Sequence, residues 1–193
     1  MAKKIEVEIR VLLKSRRAIE DRLKKLGARI IYVSRLVDYW FCPKAVKDWQ
    51  GAEINKTGFA LRIRETKDQY SGRTTAALEC KTLCDGKDHS LCHEHEIPLT
   101  DAKSIRHILT DIGLKEFLVI DKVRIIYQYK KAKFCFDKIK GLGNGLEIEI
   151  MTTGNLAEVK AKLLVLAEEV GIKKEEILSK GLTHLAMQKM GKY

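Results

Sequence analysis

The sequence predicts an α+β protein, an eight-stranded antiparallel closed β-barrel with helices packed against its outside. The first observation is the segment Ile5–Val11, where apolar and charged residues alternate without a break, as in a strand with two chemically different faces. The second is that the same alternation returns in several later segments. The third is that a strand, a helix and three strands occur twice in succession with no linker between the two sets. Such strands suit a closed barrel, because closure leaves no free sheet edge.

The first half of the chain contains four predicted strands and one predicted helix. After the first strand, Ser15 can cap a helix that runs to Leu26 and ends at Gly27. The loop after the second strand is long for a compact domain, which favours either a functional role or mobility. The predicted strands are Ile5–Val11, Ile30–Phe41, Phe59–Glu65 and Ala76–Thr82.

The second half repeats this order and adds helices at its end. Asp85-Gly86 is a turn signal before it, and Thr100 can cap a helix over Asp101–Ile112. We expect one domain over 1–193, with the barrel and its two crossover helices over 5–150 and C-terminal helices over 155–190. The remaining predicted elements are strands over Cys92–Leu99, Asp121–Tyr129, Phe134–Ile139 and around Glu147 and Glu149, and helices over Leu156–Val170 and from Glu175 to Met190.

The polar faces of these strands carry charges of both signs. Because the helices need apolar partners, they should cover the apolar strand faces, which turns the charged faces into the barrel. So many buried charges are costly unless they are paired and used. A tunnel of carboxylates with Arg and Lys suits a divalent metal such as Mg²⁺ together with a phosphate chain. The predicted tunnel residues are Glu6, Glu8, Arg10, Arg62, Arg64, Glu79, Lys81, Glu94, Glu96, Lys122, Arg124, Asp137, Glu147 and Glu149.

The net charge of +11 indicates a polyanionic partner or a lysine-rich surface. Nucleic acid, a nucleotide or polyphosphate, and a solvated surface remain open from the total charge alone. A nucleic-acid surface usually carries one sign of charge, so the interleaved acidic strands make nucleic acid the less favoured partner. A solvated strand face with cross-strand ion pairs is the simplest alternative for the glutamate pairs.

The cysteine content and the N-terminus both favour a reducing compartment. Five cysteines form no evident disulfide framework, and the chain shows neither an apolar signal segment nor a run long enough to cross a bilayer. We therefore expect a cytoplasmic protein without membrane contact. A zinc site is a less favoured alternative for one cysteine- and histidine-rich hairpin, because it contains no C-x2-C pair. The residues concerned are Cys80, Cys84, His89, Cys92, His93 and His95.

An ordered set of short motifs resembles the CYTH proteins, also called triphosphate tunnel metalloenzymes. The opening Glu6-x-Glu8-x-Arg10 is similar to their E-x-E-x-K signature. Each motif is weak alone, but their order over residues 5–150 is specific. The later motifs are Asp38-Tyr39-Trp40-Phe41, Leu61-Arg62-Ile63-Arg64, Glu79-Cys80-Lys81, Glu94-His95-Glu96-Ile97, Lys122-Val123-Arg124, and Asp137 followed by Glu147-x-Glu149.

The resemblance implies a barrel that binds a triphosphate with Mg²⁺ or Mn²⁺. It implies metal ligands at Glu6, Glu8, Glu147 and Glu149. It implies triphosphate binding by Arg10, Arg62, Arg64, Lys81, Lys122 and Arg124, with Glu79, Glu94, Glu96 and Asp137 as further tunnel-lining residues.

Among the branches of the family, the compact layout looks most like the class IV adenylyl cyclases, which convert ATP to cyclic AMP and pyrophosphate. A triphosphatase acting on tripolyphosphate or thiamine triphosphate is the alternative enzyme, and a non-catalytic module that binds triphosphates or RNA is the alternative of another class. A homodimer is a further expectation. Three departures from the family pattern are Arg10 in place of lysine, Cys92 or His93 where a basic residue usually precedes the second E-x-E strand, and Thr183-His184 in place of a Ser-Tyr pair.

Overall fold

The computed structural model describes residues 5–84 and 88–190 of the chain, so the predicted turn at Asp85-Gly86 lies outside the described residues. The strands are β1 Ile5–Leu13, β2 Arg29–Pro43, β3 Ala60–Asp68, β4 Thr74–Leu83, β5 Leu91–Leu99, β6 Leu114–Tyr129, β7 Ala132–Ile139 and β8 Gly143–Thr152. The helices are α1 Arg17–Lys25, α2 Ile54–Thr57, α3 Ala102–Asp111, α4 Leu156–Glu169 and α5 Leu182–Met190, with a 3₁₀ turn at Lys174–Glu176.

The eight strands form a closed barrel in the order β1-β5-β4-β3-β2-β6-β7-β8, and every neighbouring pair is antiparallel. The predicted fold class is therefore confirmed. If each strand of β1–β4 exchanges its label with the corresponding strand of β5–β8, the order of strands around the ring is unchanged. The repeated order of elements in the sequence thus reflects two topologically equivalent halves.

The apolar outer faces of the strands pack against helices, as the alternating pattern predicts. Val7 and Ile9 on β1 and Phe134 on β7 form a buried cluster with Leu23 of α1 and Leu163 of α4. Burying one such side chain stabilises the fold by about 1.5–3 kcal/mol. These contacts leave the charged faces of the same strands pointing into the barrel.

A second apolar cluster fills one end of the barrel interior. Leu182 and Met187 of α5 pack there against Trp40 of β2 and Ile120 of β6. Gly145 of β8 makes this approach possible, because a Cβ at that position would lie 2.4 Å from a methyl carbon of Leu182. Helix α5 therefore covers one end of the barrel, which we call the helix-covered end.

Helix boundaries differ from the prediction at three places. Helix α1 begins at Arg17, with Arg16 at its N-cap and no side-chain cap, so Ser15 is not the cap. Asp101, rather than Thr100, caps α3 by accepting a hydrogen bond from the Ser104 amide. The predicted helix from Glu175 to Met190 is instead a 3₁₀ turn, an extended segment and α5.

The extended segment before α5 breaks the helix because it pairs with β1. Ile177 forms a β-bridge with Val11, and the Leu178 amide donates to the Arg10 carbonyl at 2.8 Å. Tertiary pairing also lengthens β6, which begins at Leu114 rather than Asp121 because it pairs with the end of β2. Within the described residues, no helix has the length and apolar character that crossing a bilayer requires.

Candidate active site

A cavity of about 340 Å³ occupies the barrel interior. Thirteen of the fourteen predicted tunnel residues line it: Glu6, Glu8, Arg10, Arg62, Arg64, Glu79, Lys81, Glu94, Glu96, Lys122, Arg124, Glu147 and Glu149. Asp137 is the exception. It is only 1% exposed and lies behind Lys122 and Arg124, so it faces the barrel interior without reaching the open cavity. Asp137 does point inward, as the alternation on β7 predicts, but the longer side chains of Lys122 and Arg124 lie between it and the cavity.

One wall of the cavity, which we call the acidic wall, consists of Glu6 and Glu8 on β1 with Glu147 and Glu149 on β8. The register of the two strands places Glu8 opposite Glu149. Burial raises the pKa of Glu8 although Arg10 lowers it, and Glu6 raises it further. Burial and the neighbouring Glu6 also raise the pKa of Glu149. Burial raises the pKa of Glu147 as well, but Arg124, Lys122 and Arg10 outweigh it and hold that pKa well below its usual range.

Cationic side chains contact each carboxylate of the acidic wall. Lys81 Nζ donates to Glu6 at 2.8 and 3.0 Å, and Arg10 donates to Glu8 and to the His89 carbonyl. Lys133 Nζ lies 3.4 Å from Glu149, and Arg124 donates to Glu147 at 2.6 Å. Lys81 also reaches to 3.5 Å from Glu94. Arg10 and Lys81, which the resemblance assigns to triphosphate binding, thus contact carboxylates here.

The donor set of the acidic wall fits Mg²⁺ or Mn²⁺ by its chemistry, since both are hard cations that prefer carboxylate oxygens. A bound cation would offset the burial, and the repulsion from Glu6, that raise the pKa values of Glu8 and Glu149. Among the described residues, no three His, Cys, Asp or Glu side chains already converge as a metal site. Binding would therefore require some of these carboxylates to exchange their cationic partners for the metal.

The facing wall, which we call the basic wall, consists of Arg62 and Arg64 on β3 with Lys122 and Arg124 on β6. Buried Asp38 holds it on one side, since Arg64 donates to both of its carboxylate oxygens at 2.6 and 2.8 Å. Asp137 holds it on the other, accepting from Lys122 at 2.7 Å and from Arg124 twice at 2.6 Å. The two aspartates fix the positions of the cations before any ligand binds.

Burial disfavours the charged form of one cation of the basic wall, Lys122. Burial lowers the pKa of Lys122, and the adjacent Arg124 lowers it further, although Asp137 acts in the opposite direction. The arginines have anionic partners: Glu79 accepts from Arg62 at 2.8 Å, and Arg64 and Arg62 hold the pKa of Asp38 well below its usual range although burial raises it. An anion that contacts Lys122 would favour its charged form.

Several cavity residues lie outside the sequence prediction. Lys133 lies on β7 on the same face as Asp137, so alternation could have identified it, whereas Glu53 belongs to the β2–β3 loop, and Thr183 and His184 belong to α5. Loop and helix positions do not follow the alternation that identified the strand residues. Only the tertiary packing of α5 and the loop brings them to the cavity.

The cysteine- and histidine-rich hairpin does not form a metal site in the part of the chain that the structure describes. Cys80 lies opposite His95 on the outer face, whereas Cys92 lines the cavity. Burial raises the pKa of the Cys92 thiol to about 11, which keeps it protonated and weakens it as a ligand. These residues are divided between the two faces of the sheet.

The CYTH domain model matches residues 4–182, which is most of the chain. The chain belongs to the CYTH family. Its cavity, with acidic and basic walls, therefore lies where the family motifs meet in the barrel.

Among curated relatives, a protein of Methanocaldococcus jannaschii with a provisional adenylate cyclase name is 27% identical over 183 residues, covering 94% of this chain and 98% of that protein. Among solved structures, a Pyrococcus horikoshii protein has a TM-score of 0.80 at 22% identity, covering 95% of this chain and 99% of the other. A Hippeastrum protein, described as an adenylyl cyclase candidate with a dominant triphosphatase activity, has a TM-score of 0.57 at 19% identity, covering 92% and 91%. At these identities the solved structures show a shared fold.

Proposed function

We propose that this CYTH protein is a metal-dependent enzyme that converts ATP to cyclic AMP and pyrophosphate in its barrel cavity. The observation that carries the proposal is the pairing of an acidic wall and a basic wall across one cavity. Together the walls offer carboxylate ligands for a metal ion and cationic donors for a triphosphate. The provisional name of the Methanocaldococcus relative supports the choice of a cyclase.

The basic wall would bind the phosphate oxygens. Its guanidinium groups offer forked donors, and Asp38 and Asp137 hold them in place, so little reorganisation accompanies charge development on the substrate. In cyclisation the ribose 3′-hydroxyl oxygen bonds to the α-phosphorus and gives its proton to solvent, the bond from the α-phosphorus to the β-phosphate oxygen breaks, and pyrophosphate leaves with the new charge. Arg62, Arg64, Lys122 and Arg124 would stabilise that charge. Arg10 would contribute a permanent positive charge, since arginine does not release its proton in proteins.

Glu6, Glu8, Glu147 and Glu149 would hold the Mg²⁺ or Mn²⁺. Bound there, the metal would neutralise charge on the phosphate oxygens and orient the chain for in-line displacement. When triphosphate binds, Lys81 and Arg10 would turn from carboxylates toward phosphate. That exchange would release Glu6 and Glu8, two of the four proposed metal ligands.

A triphosphatase is the second candidate function. The two walls would contact only the phosphate chain and its metal ion, so they do not require a nucleoside. Hydrolysis by water would use the same walls. The triphosphatase activity described for the Hippeastrum protein favours this candidate. A binding module without catalysis is the remaining alternative.

Product analysis separates these possibilities. The protein is incubated with ATP, thiamine triphosphate or tripolyphosphate, with Mg²⁺, with Mn²⁺ and with EDTA. Cyclic AMP with an equal amount of pyrophosphate supports the cyclase, whereas orthophosphate shows a phosphohydrolase. If none of the three substrates gives a metal-dependent product, the proposal that the protein is an enzyme is contradicted. Glu149→Gln should abolish turnover, while the surface variant Asp121→Asn should retain it.

A further inference from the structure

The helix-covered end of the cavity differs chemically from its charged middle. Trp40, Phe59 and Phe117 supply aromatic surface there, and Leu182 and Met187 of α5 supply aliphatic surface. No phosphate chain needs such surface. Aromatic and aliphatic walls with a few polar groups are typical of sites for planar organic ligands.

A buried carboxylate stands at this end, outside the family motifs. Glu53 precedes α2, is 6% exposed and lines the cavity. Its charge is offset by Lys180, whose Nζ donates to Glu53 Oε2 at 3.0 Å. Because each carboxylate oxygen accepts more than one hydrogen bond, Glu53 retains acceptor capacity toward the cavity.

Two polar atoms at the same end are buried without a hydrogen-bond partner among the described residues. They are Nε1 of Trp40 and Nδ1 of His184. The His184 ring packs edge-on against Trp49 at 5.3 Å between ring centroids, and Nδ1 lies 3.5 Å from Glu53 Oε1. Buried indole N–H groups usually find a partner, so Trp40 Nε1–H is a donor available to a ligand at this end of the cavity.

We propose that Glu53, with Trp40 and His184, forms a recognition site for a nucleobase that carries an exocyclic amino group. The amino group of the base donates to the Glu53 carboxylate, and a ring nitrogen accepts from Trp40 Nε1–H. The aromatic and aliphatic side chains enclose the faces of the base. This inference deepens the proposed function and rests on it, since the base belongs to the triphosphate held by the two walls.

Glu53 is thus a specificity-determining residue rather than a group that acts on phosphate. A site built to accept a substrate N–H discriminates against an analogue that lacks it, because the buried acceptor is then left unpaired. Purine riboside triphosphate lacks only the exocyclic amine of ATP. Tripolyphosphate lacks the nucleoside altogether.

The test uses equilibrium binding of the full chain. The two tryptophans, Trp40 and Trp49, lie at or next to the proposed site, so their fluorescence reports occupancy directly. Titrations use a non-hydrolysable ATP analogue, the matching purine riboside analogue and tripolyphosphate, with Mn²⁺. The wild-type protein should bind the ATP analogue about 10- to 100-fold more tightly than the purine riboside analogue.

The Glu53→Gln variant should reduce that preference to about threefold or less, within the range of a weaker neutral hydrogen bond, and leave tripolyphosphate binding unchanged. The control variant Glu169→Gln removes a surface carboxylate that also pairs with a lysine, Lys130, and should retain the full preference. A wild-type protein that binds both nucleotide analogues equally would overturn the inference. So would a Glu53→Gln variant that weakens all three ligands by the same factor, because that result indicates a structural role.

Failure of this inference is distinguishable from failure of the proposed function. Nucleotide preference in binding without any turnover would support the base site and contradict the enzyme. Turnover of ATP with no preference over the purine riboside compound would support the enzyme and contradict the base site.

Discussion

Two glutamate pairs with the same E-x-E spelling lie on strands that occupy equivalent places in the two halves of the barrel, yet their surroundings differ. Glu6 and Glu8 on β1 are 4% and 5% exposed. The side chain of Glu94 on β5 is 23% exposed, and Glu96 is an exposed residue. All four line the same cavity, so direction alone does not distinguish the pairs.

The two strands also differ in their pairing among the described residues. Strand β1 pairs with β8 along its whole length, and the C-terminal segment adds a bridge at Val11. The β1–β5 pairing that the structure describes involves Leu91 and Cys92 of β5, and β5 pairs with β4 from Cys92 to Leu99. Alternation predicts which side chains point inward, but the surrounding tertiary structure decides how far each one is shielded from water.

The largest expected effect is on turnover, which should depend on the Glu6 and Glu8 pair but not on the Glu94 and Glu96 pair. Glu8→Gln should lower metal-dependent turnover by roughly 10²–10³-fold, as expected when a group that stabilises transition-state charge is lost. Glu96→Gln should change turnover by only about twofold, because Glu96 is exposed to solvent. Steady-state rates with Mg²⁺ and with Mn²⁺ provide the measurement. Comparable losses in both variants would show that burial does not select the metal ligands.

Thermal unfolding provides the control for this comparison. Because burial raises the pKa of Glu8, the folded protein disfavours its charged form. In Glu8→Gln the amide oxygen can still accept from Arg10, which also keeps its hydrogen bond to the His89 carbonyl, so the fold should not be destabilised. The melting temperatures of Glu8→Gln and Glu96→Gln should therefore match that of wild type within about 3 °C.

The next largest effect tests whether buried ion pairs also differ from exposed pairs in stability. Asp137 binds Lys122 and Arg124 in the barrel interior, whereas Asp121 binds Arg35 on the surface. Asp137→Asn should lower the free energy of unfolding by about 3 kcal/mol, because two buried cations lose their partner. Asp121→Asn should lower it by less than about 1 kcal/mol. Urea denaturation at neutral pH measures both, and equal losses would contradict the assignment of Asp137 as the anchor of the basic wall.

The smallest expected effect is a difference in pH dependence between the two walls. The pKa values of Asp38 and Asp137 are lowered, because their Arg and Lys partners outweigh burial. Their stabilisation is present above the unfolded-state pKa of about 3.9 and is lost as pH falls below it. Burial raises the pKa values of Glu8 and Glu149, so their protonation removes a destabilising charge already above pH 4.3, roughly the unfolded value.

The free energy of unfolding should therefore hold or rise on the order of 1 kcal/mol between pH 7 and about 5, and fall below about pH 4. Urea denaturation at three pH values measures the profile. Glu8→Gln should flatten the first part and Asp137→Asn the second. A continuous loss of stability from pH 7 downward, unaffected by Glu8→Gln, would contradict the raised pKa of Glu8.

The sequence by itself determined the barrel and the direction of its charged faces. Period-two alternation, as in Ile5–Val11, depends only on the geometry of a strand, and the repeated order of elements specified two equivalent halves. Ordered motifs also predicted the CYTH family, which the domain match confirms. The metal, the homodimer and the cytoplasmic location stay predictions.

Tertiary structure alone decided what each charge contacts. Lys81 contacts Glu6 across 75 residues of chain, and Asp137 lies behind the cations that it holds rather than in the cavity. Glu53 and His184 reach the cavity only because α5 and the β2–β3 loop cover one end of the barrel. Alternation is a local property of one strand, whereas burial, pairing and pKa depend on groups brought together from distant segments. That is why the sequence specified the walls of the site but not its helix-covered end.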